Sequence, residues 1–242
     1  MSISGTIEKG TGVWAAAIPY FPQPAIHLGP FTVRAFGVLA AVAVVAGCWS
    51  VVRRGCRTGI PLDEMFRFWL WTFGAAVMGA LVYMPGGISA FGALSGGLLG
   101  AVAWCLIGRL SWPETLRRLD LAAYSIPFAW MFGRLGCALA HDHRGIAAAN
   151  WLTVRFPEGP RYDLGLLEFL WLAGMAILFR LLDSRPQPAG FYLGLLGVLY
   201  GTCRVGLDTL RGGQISLGSG AILIAGLAGW AAMAGLRRTA PR

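Results

Sequence analysis

Seven stretches of about 20 apolar residues organise this chain, at roughly 31–52, 65–84, 91–108, 119–140, 163–182, 190–210 and 215–236. Twenty residues of helix rise about 30 Å, the thickness of bilayer hydrocarbon. Short links rich in Gly, Pro and Arg join the stretches and leave no room for a separate soluble domain. Composition agrees: 56% of the 242 residues are hydrophobic and 13% charged, against about a quarter charged in soluble domains. Mean hydropathy is +0.63. The expectation is an all-α integral membrane protein, residues 1–242 forming one seven-transmembrane helical bundle.

The formal net charge of +9 suggests nucleic acid until its distribution is examined. One side of the predicted spans collects Arg53, Arg54, Arg57, Arg67, Arg109, Arg117, Arg118, Arg180, Arg185, Arg237, Arg238 and Arg242. The other has Lys9, Arg144, Arg155, Arg161 and Arg211. Twelve against five is the positive-inside bias, which predicts an outside N-terminus and an inside C-terminus. The basic excess then reads as topology and affinity for anionic membrane lipids, and no nucleic-acid partner is expected.

Residues 1–30 contain Glu8, Lys9 and no clean apolar core, so no cleavable signal peptide is expected. "GVWAAAIPYFPQPAI" is apolar but broken by Pro19, Pro22 and Pro24, and reads as an interfacial arm on the outer surface. Residues 141–162 form a small outer head loop. The five cysteines show no paired spacing and read as packing residues.

Charges within membrane spans are functional candidates, because each is costly unless paired or solvated. Arg134 and Arg204 each lie about 9 Å below the outer end of their span, Glu168 about 7–8 Å, and Arg34 about 6 Å. Asp208 stands one turn above Arg204 on the same helix face. Four spans thus bring charge to one thin layer, and two guanidinium forks there suit the oxygens of a phosphate. The plainer alternative is an Arg204–Asp208 bridge within one helix and a snorkelling Arg134.

Beyond Arg134 comes His141-Asp142-His143-Arg144-Gly145. His141 follows Arg134 by two helical turns, and Gly145 permits a turn with positive φ. A neutral imidazole oriented by a carboxylate accepts a proton from a thiol or hydroxyl. A metal site is the second reading, disfavoured because His27 is the only other histidine and no His-x3-His spacing occurs. An inert polar loop is the third.

"GRLGCALAHDHRG", "YGTCRVGLDTLRGGQIS", "HLGPFTVRAFG", "GGISAFGALSGGLLGA" and "RYDLGLLE" together resemble the prolipoprotein diacylglyceryl transferases of the bacterial inner membrane. The resemblance covers nearly the whole chain. It implies transfer of a diacylglyceryl group from phosphatidylglycerol to the lipobox cysteine thiol of a prolipoprotein signal peptide. It implies a seven-span bundle with a periplasmic head and a cytoplasmic C-terminus, and neither metal nor soluble cofactor. Gly133, Arg134, Gly136 and Gly145 match the family signature Gly-Arg-x-Gly-Asn…Glu-x-x-Gly, with Asp142 at its glutamate. Glu168, Tyr200, Gly201 and Arg204 match further motifs, and Asp208 replaces a glutamate. The resemblance thus adds Tyr200 and Gly145 to a lipid site of Arg134, Arg204, Glu168 and Asp208.

Several positions depart from the pattern. The signature asparagine is Cys137, a first-span tyrosine is Phe36, the third-span histidine is Ser95, and a second-span arginine is absent near Val77. Three explanations stay open. His141 or His143 takes over the proton, with Asp142, Arg134 and Arg204 completing the catalytic set; the lipid or acceptor differs; or the chain is a lipid-binding scaffold.

Overall fold

A computed structural model describes residues 18–83, 89–213 and 215–239, with side chains through residue 231. Seven helices form among these residues: α1 Ala35–Arg57, α2 Leu62–Tyr83, α3 Ala90–Ile107, α4 Trp112–Ala140, α5 Leu164–Leu182, α6 Phe191–Gly212 and α7 Leu217–Thr239. Four of them, α1, α2, α3 and α5, are long and apolar enough to cross a membrane. The helix of Arg134 is α4, and that of Arg204 and Asp208 is α6. Most boundaries fall within a few residues of those expected from hydropathy.

The first span differs. Helix α1 begins at Ala35 because Phe31–Arg34 is strand β3, paired antiparallel with β2, Ala25–Leu28. Gly29 turns this hairpin at φ +61°, a conformation open to glycine. Arg34 is exposed at the helix start and does not join the buried charges. The expected interfacial arm is thus partly strand; its residues 1–17 lie outside the described residues. The expected head loop is a sheet. Strands β4 Arg144–Ala147, β5 Thr153–Phe156 and β6 Gly159–Asp163 pair antiparallel in the spatial order β5-β6-β4, and β1 Ile18–Pro19 joins β5 in parallel.

Small residues let helices touch. A Cβ at Gly79 on α2 would lie 2.3 Å from the Gly92 carbonyl of α3, and one at Gly226 on α7 would lie 2.3 Å from the Gly197 carbonyl carbon of α6. Such close backbone approach is how helices bind where lipid is as apolar as leucine. The core is aromatic where α4, α5 and α6 meet, around Tyr124, Phe179, Tyr192 and Tyr200.

At the end away from the head, one guanidinium joins four helices. Arg54 of α1 lies over the rings of Tyr124 (α4) and Tyr192 (α6), 4.3 and 4.4 Å from their centroids, and pairs with Asp183 at the α5 C-terminus. Cation–π contact and ion pairing act on the same group. Helix α4 starts with a Ser111–Glu114 cap, where the carboxylate accepts from both the Ser111 N–H and its hydroxyl.

Candidate lipid-phosphate site

Glu168 is the hub. It enters one turn into α5, is only 2% exposed, and meets one hydroxyl and two guanidinium groups from two other helices. The Tyr200 hydroxyl donates to its Oε1 at 2.9 Å, Arg134 Nε lies 3.1 Å from the same oxygen, and Arg204 Nη1 lies 3.5 Å from Oε2. Arg204 Nη2 is 3.8 Å from Asp208 Oδ1, one turn on. The other Asp208 oxygen accepts the Ser216 N–H at 2.9 Å, which ties the start of α7 to α6. Trp130 stacks on the Tyr200 ring and fixes its plane. Two arginines and two carboxylates therefore balance, and each carboxylate has further donors, as buried charge requires.

The balance leaves donors over. Arg134 is 7% exposed, yet its Nε–H does not point along the line to Glu168 and has no acceptor among the described residues. Arg204 lines a cavity of ≈ 230 Å³ with Tyr83, Phe91, Leu94, Tyr200 and Ser216. That cavity lies between the α2–α3 pair and the α6–α7 pair, apolar on one wall and cationic on the other. A larger open groove of ≈ 580 Å³ along α2 and α3, around Arg67, Trp71 and Trp104, is remote in sequence from these charges.

The histidines lie at the end of α4 and diverge. The helix stops at Ala140, and His141 caps it in the left-handed region at φ 52°, so the two-turn register from Arg134 does not extend to its side chain. Non-glycine residues adopt that conformation at a cost of about 1 kcal/mol or more. The strap is Asp163, whose carboxylate bonds His141 Nδ1 at 2.7 Å and also accepts the Leu166 N–H at the start of α5. Tyr20, Phe21 and Phe156 enclose the ring, and its Nε2 is buried without a partner among the described residues. His143 is half-buried and bonds Asp142 through Nδ1.

Gly145 adopts no positive φ among the described residues; the expected turn is not its task. It lies in β4, where a Cβ would meet Leu164 Cδ2 and the Leu210 carbonyl at 2.9 Å and Tyr162 Cβ at 3.1 Å. The backbone carbonyl cannot yield. Gly145→Ala is therefore expected to destabilise the protein by about 1–3 kcal/mol, seen as a Tm lower by roughly 3–10 °C in a detergent melt.

Five participants carry no clear mark in the sequence. Asp163 and the Tyr20–Phe21 pair were unmarked, although an aspartate directly before a helix is a usual N-cap signal. Ser216 holds Asp208 through a backbone N–H, which carries no sequence mark. Cys137 was read as packing, yet its Sγ shares a cluster with Asp142 and His143. At the departures from the family pattern, Ser95 spends its hydroxyl on carbonyls of its own helix, and the Phe36 ring packs on Gly136.

Comparison with known proteins follows the same residues. The family model described as prolipoprotein diacylglyceryl transferase matches residues 23–236. Proteins named phosphatidylglycerol–prolipoprotein diacylglyceryl transferase are among the similar sequences. That of Limosilactobacillus reuteri (strain DSM 20016) is 28% identical over 241 residues, covering 86% of this chain and 85% of its own. That of Nitratidesulfovibrio vulgaris (strain DP4) is 29% identical over 230 residues, covering 83% and 85%. That of Bacillus cytotoxicus is 25% identical over 238 residues, covering 84% and 85%.

Proposed function

The chain belongs to the prolipoprotein diacylglyceryl transferase family, and from that premise we propose that it moves a diacylglyceryl group from phosphatidylglycerol to the lipobox cysteine of prolipoproteins. One observation carries the reading beyond the family: a buried arginine donor without an acceptor, Arg134 Nε–H, beside a second arginine that lines a cavity. A phosphate oxygen supplies the missing acceptor. Arg134 and Arg204 grip the headgroup phosphate, and Glu168, Asp208 and Tyr200 hold the two guanidinium groups in place. Gly145 keeps the head sheet close to α5 and α6.

The acceptor sulfur attacks the glycerol carbon that bears the phosphate. A C–S bond forms, the C–O bond breaks, and glycerol phosphate leaves with the electron pair. Negative charge grows on the leaving phosphate, where fixed guanidinium groups in a dry site stabilise the transition state most. The thiol proton passes to His143, accessible and oriented by Asp142. His141, enclosed and bound to Asp163, positions the end of α4. All seven helices span the bacterial inner membrane, with the N-terminus and head sheet periplasmic and the C-terminus cytoplasmic. The distribution of arginines supports that orientation.

The test uses purified protein in detergent with phosphatidylglycerol and a synthetic lipobox peptide. Mass spectrometry is expected to find a diacylglyceryl thioether on the peptide cysteine. His143→Gln is expected to reduce the rate by about 10²–10⁴-fold, the usual contribution of a general base, and His141→Gln to act chiefly on stability. Absence of product from folded protein, beside an active relative, would point to the lipid-binding scaffold.

A further inference from the structure

At the end of the bundle away from the head, Asp183 is surrounded by more positive charge than one carboxylate can answer. Its Oδ1 pairs with Arg54, and its Oδ2 accepts from the Tyr124 hydroxyl at 3.4 Å. Arg57 Nη1, from the last turn of α1, and Arg180 Nη1, from the last turn of α5, each stand 3.8 Å from that same Oδ2. That is too far for a hydrogen bond, and neither guanidinium has another acceptor among the described residues. The other acid near Arg54 is Asp120, buried in α4, whose Oδ1 accepts the Leu193 N–H of α6. Exposure separates the three arginines: the Arg54 side chain is 15% exposed, those of Arg57 and Arg180 are 50% and 59%. Arg54 is spent on the fold, while the other two face outward with their donors unused.

Solvated basic residues at helix C-termini, where cations suit the dipole, are the plainer reading. Three observations go further. Two nitrogens that each lie 3.8 Å from one oxygen are at most twice that distance apart. Charge-assisted bonds of about 2.8 Å to two oxygens of one phosphate bridge nitrogens up to about 8 Å apart, so a single phosphate spans the pair. Both α1 and α5 are long and apolar enough to cross a membrane, and residues at their ends stand at headgroup depth. The two helices each pack on α4 and hardly on each other, which leaves a seam between them. Beside Arg180 the α5 surface is open and apolar: Ile177 and Leu181, one turn apart, are 63% and 67% exposed, and a Cβ on Gly174 would meet nothing within 4 Å.

We propose that Arg57 and Arg180 hold the phosphate of an anionic glycerophospholipid in the leaflet away from the head, its acyl chains lying along Gly174, Ile177 and Leu181. A lipid whose phosphate is its only charge answers both guanidinium groups. A zwitterionic headgroup adds an ammonium that the same arginines repel. Free phosphate shares the chemistry of the headgroup but makes no use of the apolar strip. The bound lipid joins the ends of α1 and α5 across the seam and adds its binding energy to the folded state. Arg54 and Asp183 hold the two outer arginines' shared carboxylate in place. This site is separate from Arg134 and Arg204 and does not rest on the transferase reading.

Full-length protein, stripped of lipid in an uncharged detergent, is melted with added phosphatidylglycerol, phosphatidylethanolamine or inorganic phosphate. Phosphatidylglycerol near saturation is expected to raise Tm by about 5 °C, and the other two by less than about 1 °C. In Arg57→Gln/Arg180→Gln the phosphatidylglycerol shift should fall by at least about half, the remainder coming from the reaction site. Arg180→Gln alone, which leaves Arg57 and the Arg54–Asp183 pair in place, should give an intermediate shift. Arg117→Gln/Arg185→Gln removes the same charge from exposed positions outside the cluster and should keep the full shift. Equal shifts in the parent and both Arg180 variants overturn the proposal, as does an equal shift with phosphatidylethanolamine. An equal shift with inorganic phosphate, lost in the same variants, assigns the arginines to a free anion and overturns the lipid. Diacylglyceryl transfer is read on the same samples. Its absence throughout, with the difference between parent and variants intact, would refute the transferase reading and uphold this site.

Discussion

Glu168→Gln lowers the melting temperature of the detergent-solubilised protein by roughly 10 °C. The expectation follows from three contacts on one carboxylate: Tyr200 at 2.9 Å, Arg134 at 3.1 Å and Arg204 at 3.5 Å. Removing one member of a buried ion pair costs about 3–5 kcal/mol, because the partner charge remains buried and uncompensated. In a domain of this size each kcal/mol moves Tm by about 2–4 °C. Glutamine keeps the shape and one carbonyl oxygen for Tyr200, so the loss reports charge and not a cavity. Glu158→Gln, which breaks the exposed pair with Arg144, should cost no more than about 1 kcal/mol, a shift of at most about 2–4 °C. Equal shifts in the two variants would show that the Glu168 cluster is not a buried charge network.

Arg134→Lys reduces diacylglyceryl transfer by about 10²–10³-fold while the melt changes little. The lysine keeps a positive charge beside Glu168, so folding retains its ion pair. It loses a planar fork able to bind two phosphate oxygens at once and the Nε–H that has no acceptor among the described residues. A preorganised donor lost from such a site costs about 10²–10³ in kcat. Initial rates at saturating phosphatidylglycerol distinguish this from weaker lipid binding, which raises KM and leaves kcat unchanged. A rate within about threefold of the parent would remove Arg134 from the reaction.

Much of the fold was legible because the bilayer leaves few options. A long apolar stretch becomes a helix, and most helix ends lie near where apolarity stops; α4 instead begins at Trp112, in a polar, capped first turn. The head was illegible for the complementary reason: its strands are two to five residues long and its pairing joins Ile18 to Val154 across more than half the chain. No local period announces such contacts. The same division holds in the site. Arg134, Glu168, Arg204 and Asp208 were visible because charge is conspicuous among apolar residues, and the fold places all four in one connected group. His141 was misdirected by helical register, since one left-handed residue turns its ring toward Asp163. Cys137 was hidden because a cysteine in an apolar helix looks like packing until its neighbours across the turn are known.

The four-helix junction around Arg54 also imposes an order on biosynthesis. Its partners are Tyr124, Asp183 and Tyr192, and the ion pair joins residues 129 positions apart. A chain made from its N-terminus exposes α1 long before α6 exists. Until the fourth and fifth helices have been made, Tyr124 and Asp183 are absent and this guanidinium has neither its ring nor its carboxylate; Tyr192 of the sixth helix completes the set. Arg54 is therefore the last of these contacts to be completed, a fastening closed only when helices made at opposite ends of the chain have met.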